Sequence, residues 1–128
     1  MANTVTSRTL LDGDRNLVML FTGLLDTSNE ARTLKVDVST YVPAPTKVRV
    51  NGIHHLCSSG LTVVLDWDAT TPVRFACLSL SDEIELCEFG GITNDAGAGV
   101  TGDIYLTTYG WSGVMSYNII LEMVKVSF

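Results

Sequence analysis

The chain has 128 residues, which is the size of one folded domain rather than two. Hydrophobic residues make up 46% of it and charged residues only 17%, a balance that excludes the charge-rich, apolar-poor composition of disordered chains. The net charge of −6 argues against a surface built to hold nucleic-acid phosphates. We therefore expect a single domain over residues 1–128 that binds no nucleic acid.

The sequence also lacks the signals of a membrane or secreted protein. Its most apolar stretch, residues 119–126, is interrupted by Glu122 and Lys125 and is far shorter than the roughly 20 residues of a membrane helix. The first residues have neither the basic region nor the apolar block of a secretory signal. We expect a protein that has no membrane partner and is made in the cytoplasm.

Three cysteines, Cys57, Cys77 and Cys87, are spread along the chain. Their odd number and the absence of C-x-x-C spacing favour small buried thiols over a disulfide framework or a zinc site. Cys77 in particular follows Phe75 and Ala76 in an apolar run, so we expect its side chain to be buried.

Most apolar segments are short, rich in Val, Thr, Ile, Leu and aromatic residues, and closed by Gly, Pro, Asn or Asp, which is typical of strands. Several alternate apolar with polar residues, as half-buried strands do. Their number and spacing predict an all-β antiparallel sandwich of about eight strands, the class to which jelly rolls belong. In chain order the predicted strands cover residues 4–11, 16–23, 34–38, 47–51, 61–67, 73–80, 103–109 and 117–127.

Two predicted strands, residues 17–21 and 119–126, are apolar on both faces. A two-layer sandwich covers one face of each sheet, so the second face must meet a loop, a third layer or another chain. Large apolar patches are rarely left exposed on a monomer, so the second face should be covered either by a loop or end strand of the same chain or by a protein interface. The predicted contact residues on these strands are Leu17, Met19, Phe21, Ile120, Val124 and Val126.

A long segment, residues 89–102, contains five glycines. Because glycine loses more conformational entropy on ordering than any other residue, regular structure is disfavoured here. Loops of this length are usually functional or ordered by a partner. We expect the segment to be mobile in the free protein and to become ordered on assembly. Asn94 and Asp95 would then lie at its tip and contact a neighbouring subunit, and Asp103 would end the loop at the next strand.

Three kinds of motif suggest a ligand, but none satisfies the requirements of a binding site for it. Residues 97–102 match G-x-G-x-x-G, yet an alternating β pattern follows where a dinucleotide site needs a helix. His54 and His55 are adjacent on a predicted strand, so their side chains point to opposite faces and cannot readily share a metal ion. The acidic pairs Asp12/Asp14 and Asp66/Asp68 lack further calcium ligands and are interpreted as turn caps. We predict no cofactor and no metal.

Signals for catalysis are equally weak. The serines near residues 58 and 112 do not form a G-x-S-x-G elbow. Cys57 and His55 share a face of one predicted strand and could in principle form a thiolate–imidazole pair, but no motif supplies an oxyanion hole or a pocket. We predict that the protein is not an enzyme.

Four segments, residues 64–73, 89–94, 99–104 and 116–121, resemble small virion structural proteins of tailed bacteriophages. The resemblance covers roughly the C-terminal half of the chain and brings no catalytic residue with it. It implies a location in the virion and a capsid decoration, or cement, protein that binds and stabilises the lattice of the major capsid protein. Neighbouring copies of the chain would be further partners in a homo-oligomer, and tail or neck components belong to the same class.

A carbohydrate-binding module is the alternative, because a β-sandwich can display an aromatic platform with a few polar groups. The candidate platform consists of Trp67, Tyr105, Tyr109 and Trp111, with Asn94, Asp95 and Asp103 as polar partners.

Overall fold

The computed structural model describes residues 3–30, 32–41, 45–86 and 90–127, and in these ranges the chain is built from strands and one short 3₁₀ turn. None of the described segments is a helix long and apolar enough to cross a membrane. The strands are β1 (Thr4–Asp12), β2 (Asn16–Leu25), β3 (Thr33–Val36), β4 (Lys47–Cys57), β5 (Thr62–Trp67), β6 (Val73–Ser79), β7 (Ser81–Glu85), β8 (Ile104–Tyr109) and β9 (Met115–Ser127), with the turn at Val38–Thr40.

The strands form two antiparallel sheets, which confirms the predicted all-β sandwich. The five-stranded sheet has the order β1-β2-β9-β4-β7, and the four-stranded sheet has the order β3-β8-β5-β6. Four strand pairs are nested along the chain: β2/β9 encloses β3/β8, which encloses β4/β7, which encloses β5/β6. Two further pairs, β9/β4 and β8/β5, complete the two sheets. This nesting is the topology of a jelly roll.

One strand was not predicted. β7 follows β6 almost without a break and carries the residues Ser-Asp-Glu-Ile-Glu, which have too few apolar positions to show an alternating pattern. It forms the edge of the five-stranded sheet beside β4, so its polar composition suits an edge that must avoid further pairing.

The core lies between the sheets, and strands such as β2 and β9 contribute every second residue to it. β2 contributes Leu17, Met19 and Phe21, whose side chains are almost completely buried. These three residues were expected to face a partner, and that expectation is wrong. Both faces of β2 are apolar in sequence, and the register assigns the odd-numbered set to the core, so Val18 and Leu20 face outwards instead.

The core also contains Trp67, which is fully buried on β5 and stacks on Phe75 with ring centroids 4.2 Å apart. The two sheets meet through such large side chains, and their burial supplies the main free energy of folding. β1 takes no part in this core. It pairs with β2, and each of its nine residues is exposed, so it extends the five-stranded sheet as an edge strand.

A buried polar cluster joins the sheets at one end of the core. The Glu30 carboxylate lies 2.8 Å from the Lys35 ammonium group and accepts a 2.5 Å hydrogen bond from the Tyr117 hydroxyl, and all three side chains are buried. Burial, followed by the bond to Glu30, raises the pKa of Tyr117. Gly23 leaves room for the Tyr117 ring, because a Cβ there would lie 2.3 Å from a ring carbon. The sheets are thus fixed by specific pairing as well as by apolar packing.

We predict that Lys35→Met destabilises the protein by about 3–5 kcal/mol, because it leaves the Glu30 carboxylate buried without its cation. Chemical denaturation at neutral pH measures the change. Arg8→Met on the exposed strand β1 is the matched control and should change the free energy of unfolding by less than about 0.5 kcal/mol. Equal effects of the two substitutions would show that the buried ion pair does not stabilise the fold.

Candidate functional site

The outer face of the five-stranded sheet brings the predicted contact residues of β9 together with several ionisable groups. The strand register aligns outward-facing residues of neighbouring strands in cross-strand rows. One row runs across all five strands, from the basic side chain on β1 to the acidic one on β7: Arg8, Leu20, Ile120, His54 and Glu83. The face is therefore apolar at the centre and charged towards β7.

Four apolar side chains on β2 and β9, Val18, Leu20, Ile120 and Val124, form what we call the outer stripe. They shield one another only partly, and among the described residues no further layer covers them. The stripe is bordered by three exposed leucines, Leu11, Leu24 and Leu56. A groove of about 480 Å³ runs along it, lined by side chains of β2, β4, β7 and β9 that include Leu20 and Ile120.

Three of the predicted contact residues lie on the outward face of β9. Ile120 and Val124 belong to the outer stripe, and Val126 is exposed near the end of the strand. On β2 the outward-facing apolar residues are Val18 and Leu20 instead of the predicted set, and contact of either strand with a partner stays a prediction.

The second feature of this face is a cluster of one histidine and three glutamates on β4, β7 and β9. The Nε2 atom of His54 lies 2.9 Å from Oε1 of Glu122 and 3.7 Å from Oε1 of Glu85. On the other side of the ring, Nδ1 lies 3.6 Å from Oε2 of Glu83. We call these four residues the His54 cluster. Each side chain is partly exposed, so the cluster is open to solvent.

A bulge in β4 creates the space for this cluster. The pairing of β4 with β9 shifts register between Val50 and Gly52, and Gly52 then lies opposite both Glu122 and Glu85. A Cβ atom at Gly52 would lie 2.9 Å from a carboxylate oxygen of Glu122 and 3.4 Å from one of Glu85. Bulges commonly redirect side chains near functional sites. Here the missing side chain lets two carboxylates converge above the strand.

The acidic groups of the cluster repel one another. The pKa of Glu85 is raised, first by its hydrogen bond with Glu83 and then by burial and the negative charges of Glu122 and Glu83, while His54 acts in the opposite direction. A carboxyl group whose pKa is higher in the folded than in the unfolded state stabilises the fold at pH values below its unfolded-state pKa. That stabilisation is lost as the pH rises through the raised value.

We therefore predict that Glu85→Gln in metal-free buffer raises the melting temperature by up to a few degrees at pH 7, because the neutral amide removes one of the repelling carboxylates. The difference should become smaller as the pH falls to 4, since protonation of the wild-type carboxyl removes the same repulsion. Thermal unfolding at both pH values measures the effect, with Asp14→Asn in the exposed β1–β2 turn as the control. An equal difference at both pH values would contradict the repulsion.

The glycine-rich segment is tied to the sandwich in several places. Ile92 and Val50 exchange two backbone hydrogen bonds, of 2.7 and 3.0 Å, and the amide of Thr70 donates to the carbonyl of Ala98. Gly102 packs so closely on the backbone of residue 46 that a Cβ atom would clash. The mobility of the glycine-rich segment in the free protein and its ordering on assembly stay predictions.

Within this segment the two predicted contact residues differ. Asn94 is buried, and its side-chain oxygen accepts a hydrogen bond from the Ala96 amide, so the expectation that it lies at an exposed tip is wrong. An Asn in a turn uses its side chain to hold its own backbone, which the sequence alone did not distinguish from a contact role. Asp95 is exposed. Asp103 directly precedes β8, as predicted, and accepts a hydrogen bond from the Val38 amide.

The aromatic residues of the predicted sugar platform are dispersed. Trp67 is in the core, and the Tyr105 ring is covered by the Arg32 guanidinium, 3.9 Å from the ring centroid. The Trp111 indole donates a hydrogen bond to the carbonyl of Leu25, and Tyr109 is half exposed. These four residues do not form one exposed stacking surface.

The two histidines point to opposite faces of the sheet, as expected. His55 is buried, and its Nδ1 atom has no hydrogen-bond partner among the described residues.

The cysteines differ in burial. Cys57 is buried, and burial raises the pKa of its thiol. The expectation that Cys77 is buried is wrong, because on β6 the inward position is taken by the next residue, Leu78. Cys87 lies outside the described residues.

We predict that a native-state alkylating reagent at pH 8 modifies Cys77 at least about tenfold faster than Cys57, since thiolate formation and access both favour the exposed thiol. Mass spectrometry of peptides after timed labelling measures the two rates. The Cys77→Ser variant should lose the fast phase, whereas Cys57→Ser should keep it. Equal labelling rates of the two thiols in the folded protein would contradict this placement.

The comparisons with known proteins leave the family of this chain open. No protein-family model and no curated protein matches it. Among solved structures it is similar to a cupin superfamily protein from Desulfitobacterium hafniense, at 16% identity and a TM-score of 0.36, over 94% of this chain and 79% of that chain. A similarity this weak carries no argument, so the assignment of the fold rests on the strand order described above.

Proposed function

We propose that the chain is a non-enzymatic structural protein of a tailed-bacteriophage particle. In this role it is a capsid decoration protein that binds the lattice of the major capsid protein through the outer stripe. The observation that carries the proposal is the partly exposed outer stripe on β2 and β9, together with the exposed leucines at its border. A monomer rarely leaves such a surface in water without a binding role.

The make-up of the outer face supports a protein partner. Interfaces combine an apolar centre with a polar rim. Leu20 and Ile120 lie at the centre of the face, while Arg8 lies at one side and Glu83 at the other. The charged groups at the rim would set the orientation on the lattice, and the apolar centre would supply most of the binding free energy.

The fold is consistent with this role but does not select it. Jelly rolls include viral capsid proteins, lectins and cupins, so function has to be argued from the surface. The four segments that resemble virion proteins favour the capsid role. The dispersed aromatic residues favour it over a sugar-binding module, because Trp67, one of the two tryptophans, is buried.

The exposed strand β1 supports contact between neighbouring copies. It lies at one end of the strand order of its sheet, and among the described residues no strand pairs with the backbone groups on its outer side. Such an edge can pair with another chain unless it is blocked. A lattice of decoration proteins would bring these edges close to one another, and this is the basis on which we propose a homo-oligomer.

Purified virions of the encoding phage should contain the chain in a fixed ratio to the major capsid protein, measured by quantitative mass spectrometry. In co-sedimentation with capsids that lack the chain, Leu20→Glu on the outer stripe should weaken binding by at least about tenfold, which corresponds to ~1.4 kcal/mol. Leu34→Glu, at an exposed leucine of β3 in the other sheet, is the matched control and should bind normally.

Two results would reject the proposal: absence of the chain from purified particles, or equal capsid binding by the Leu20 and Leu34 variants. Leu20 lies outside the core, so its variant should fold, and a melting curve of each variant verifies this before binding is measured.

A further inference from the structure

We propose that His54, Glu85 and Glu122 form a binding site for a divalent transition-metal ion of the zinc class, with Glu83 as the group that orients the imidazole. The proposal concerns a site that the sequence did not indicate, because no metal was predicted from its motifs. It is independent of capsid binding and can be tested on the free protein.

The spacing of the donor atoms fits such an ion. One nitrogen of His54 and one oxygen from each of Glu85 and Glu122 all lie within 4.8 Å of one another. Zinc bonds to nitrogen and oxygen are about 2.0–2.1 Å long, which places two ligands of a tetrahedral ion roughly 3.3 Å apart. The distances from Nε2 to the two glutamates, 2.9 and 3.7 Å, lie on either side of that value. Small rotations of two flexible glutamates would complete the geometry.

The histidine distinguishes this cluster from an ordinary acidic patch. Its Nε2 atom faces the two carboxylates that would share the ion, while Nδ1 faces Glu83 at 3.6 Å. A metal-binding histidine usually has its second nitrogen held by a carboxylate, which fixes the tautomer and the orientation of the ring. An imidazole also favours zinc, copper, nickel or iron over magnesium and calcium, which prefer oxygen ligands.

The charge of the cluster favours a bound cation. Three glutamates surround one histidine, whereas the lysine and arginine ion pairs among the described residues, Arg32–Asp68, Lys35–Glu30 and Lys125–Asp12, lie elsewhere. A bound divalent ion would convert mutual repulsion into shared attraction.

The backbone makes room for the ion. The bulge in β4 places Gly52 beneath the two metal-facing carboxylates, and any side chain there would push Glu122 away. Because the three donor residues are partly exposed, ions can enter from solvent. Three protein ligands leave a fourth position for water or for a group of a neighbouring molecule.

The test is titration of the metal-free protein with Zn²⁺, measured by competition with a chromophoric chelator. A Cys77→Ser background removes the exposed thiol, which could bind zinc by itself. We expect one Zn²⁺ per chain, and Mg²⁺ and Ca²⁺ should not displace it. His54→Ala and Glu122→Gln should each weaken binding by at least about tenfold. Asp82→Asn, an acidic neighbour on β7 outside the donor set, is the control and should bind as the parent does.

Nuclear magnetic resonance provides a readout that does not depend on affinity. The chain has two histidines, so Zn²⁺ should shift the ring resonances of His54 and leave those of buried His55 almost unchanged. Circular dichroism verifies that each variant is folded. Binding that survives His54→Ala, or a titration that leaves the His54 resonances in place, would overturn the proposal.

Discussion

The pairing of β2 with β9 is the constraint on which the rest of the structure depends. It joins opposite ends of the chain, with Asn16 beside Val124 and Leu25 beside Met115, and it lies near the centre of the five-stranded sheet. Since both strands are apolar on both faces, the register decides which residues form the core. A shift of one residue would move Phe21 and Ile119 to solvent and bring Leu20 and Ile120 inside.

The same pairing creates the surface that we propose as the contact site. The inward residues of β2 and β9 meet the four-stranded sheet, while their outward residues remain as the outer stripe. Apolar surface on both sides of a strand costs solubility in a free monomer. The proposed capsid lattice would cover the second side, so stability and attachment would both arise from these two strands.

The sequence predicted the strands well because alternation and turn residues are local signals. Eight predicted segments coincide with strands, and the charged edge strand β7 was missed because it has little apolar pattern. The strand order could not be predicted, since partners such as β2 and β9 are far apart in the chain. Local apolar runs also do not reveal which face is buried, which explains the errors at Leu17 and Cys77.

The His54 cluster was not predicted for a related reason. Its members come from three strands, and no spacing in the sequence connects His54 with Glu83 or Glu122. The available signal was weak: a glycine inside a strand pattern, Gly52, which often marks a bulge. Only the sheet register shows that this glycine lies opposite two glutamates.

Electron cryomicroscopy of the decorated particle would determine which sheet contacts the capsid. If the outer stripe is the contact surface, the five-stranded sheet faces the capsid, Leu20 and Ile120 are buried against the major capsid protein, and the four-stranded sheet is directed outwards. A particle in which the chain contacts the lattice through the four-stranded sheet, with the outer stripe facing solvent, would contradict this proposal.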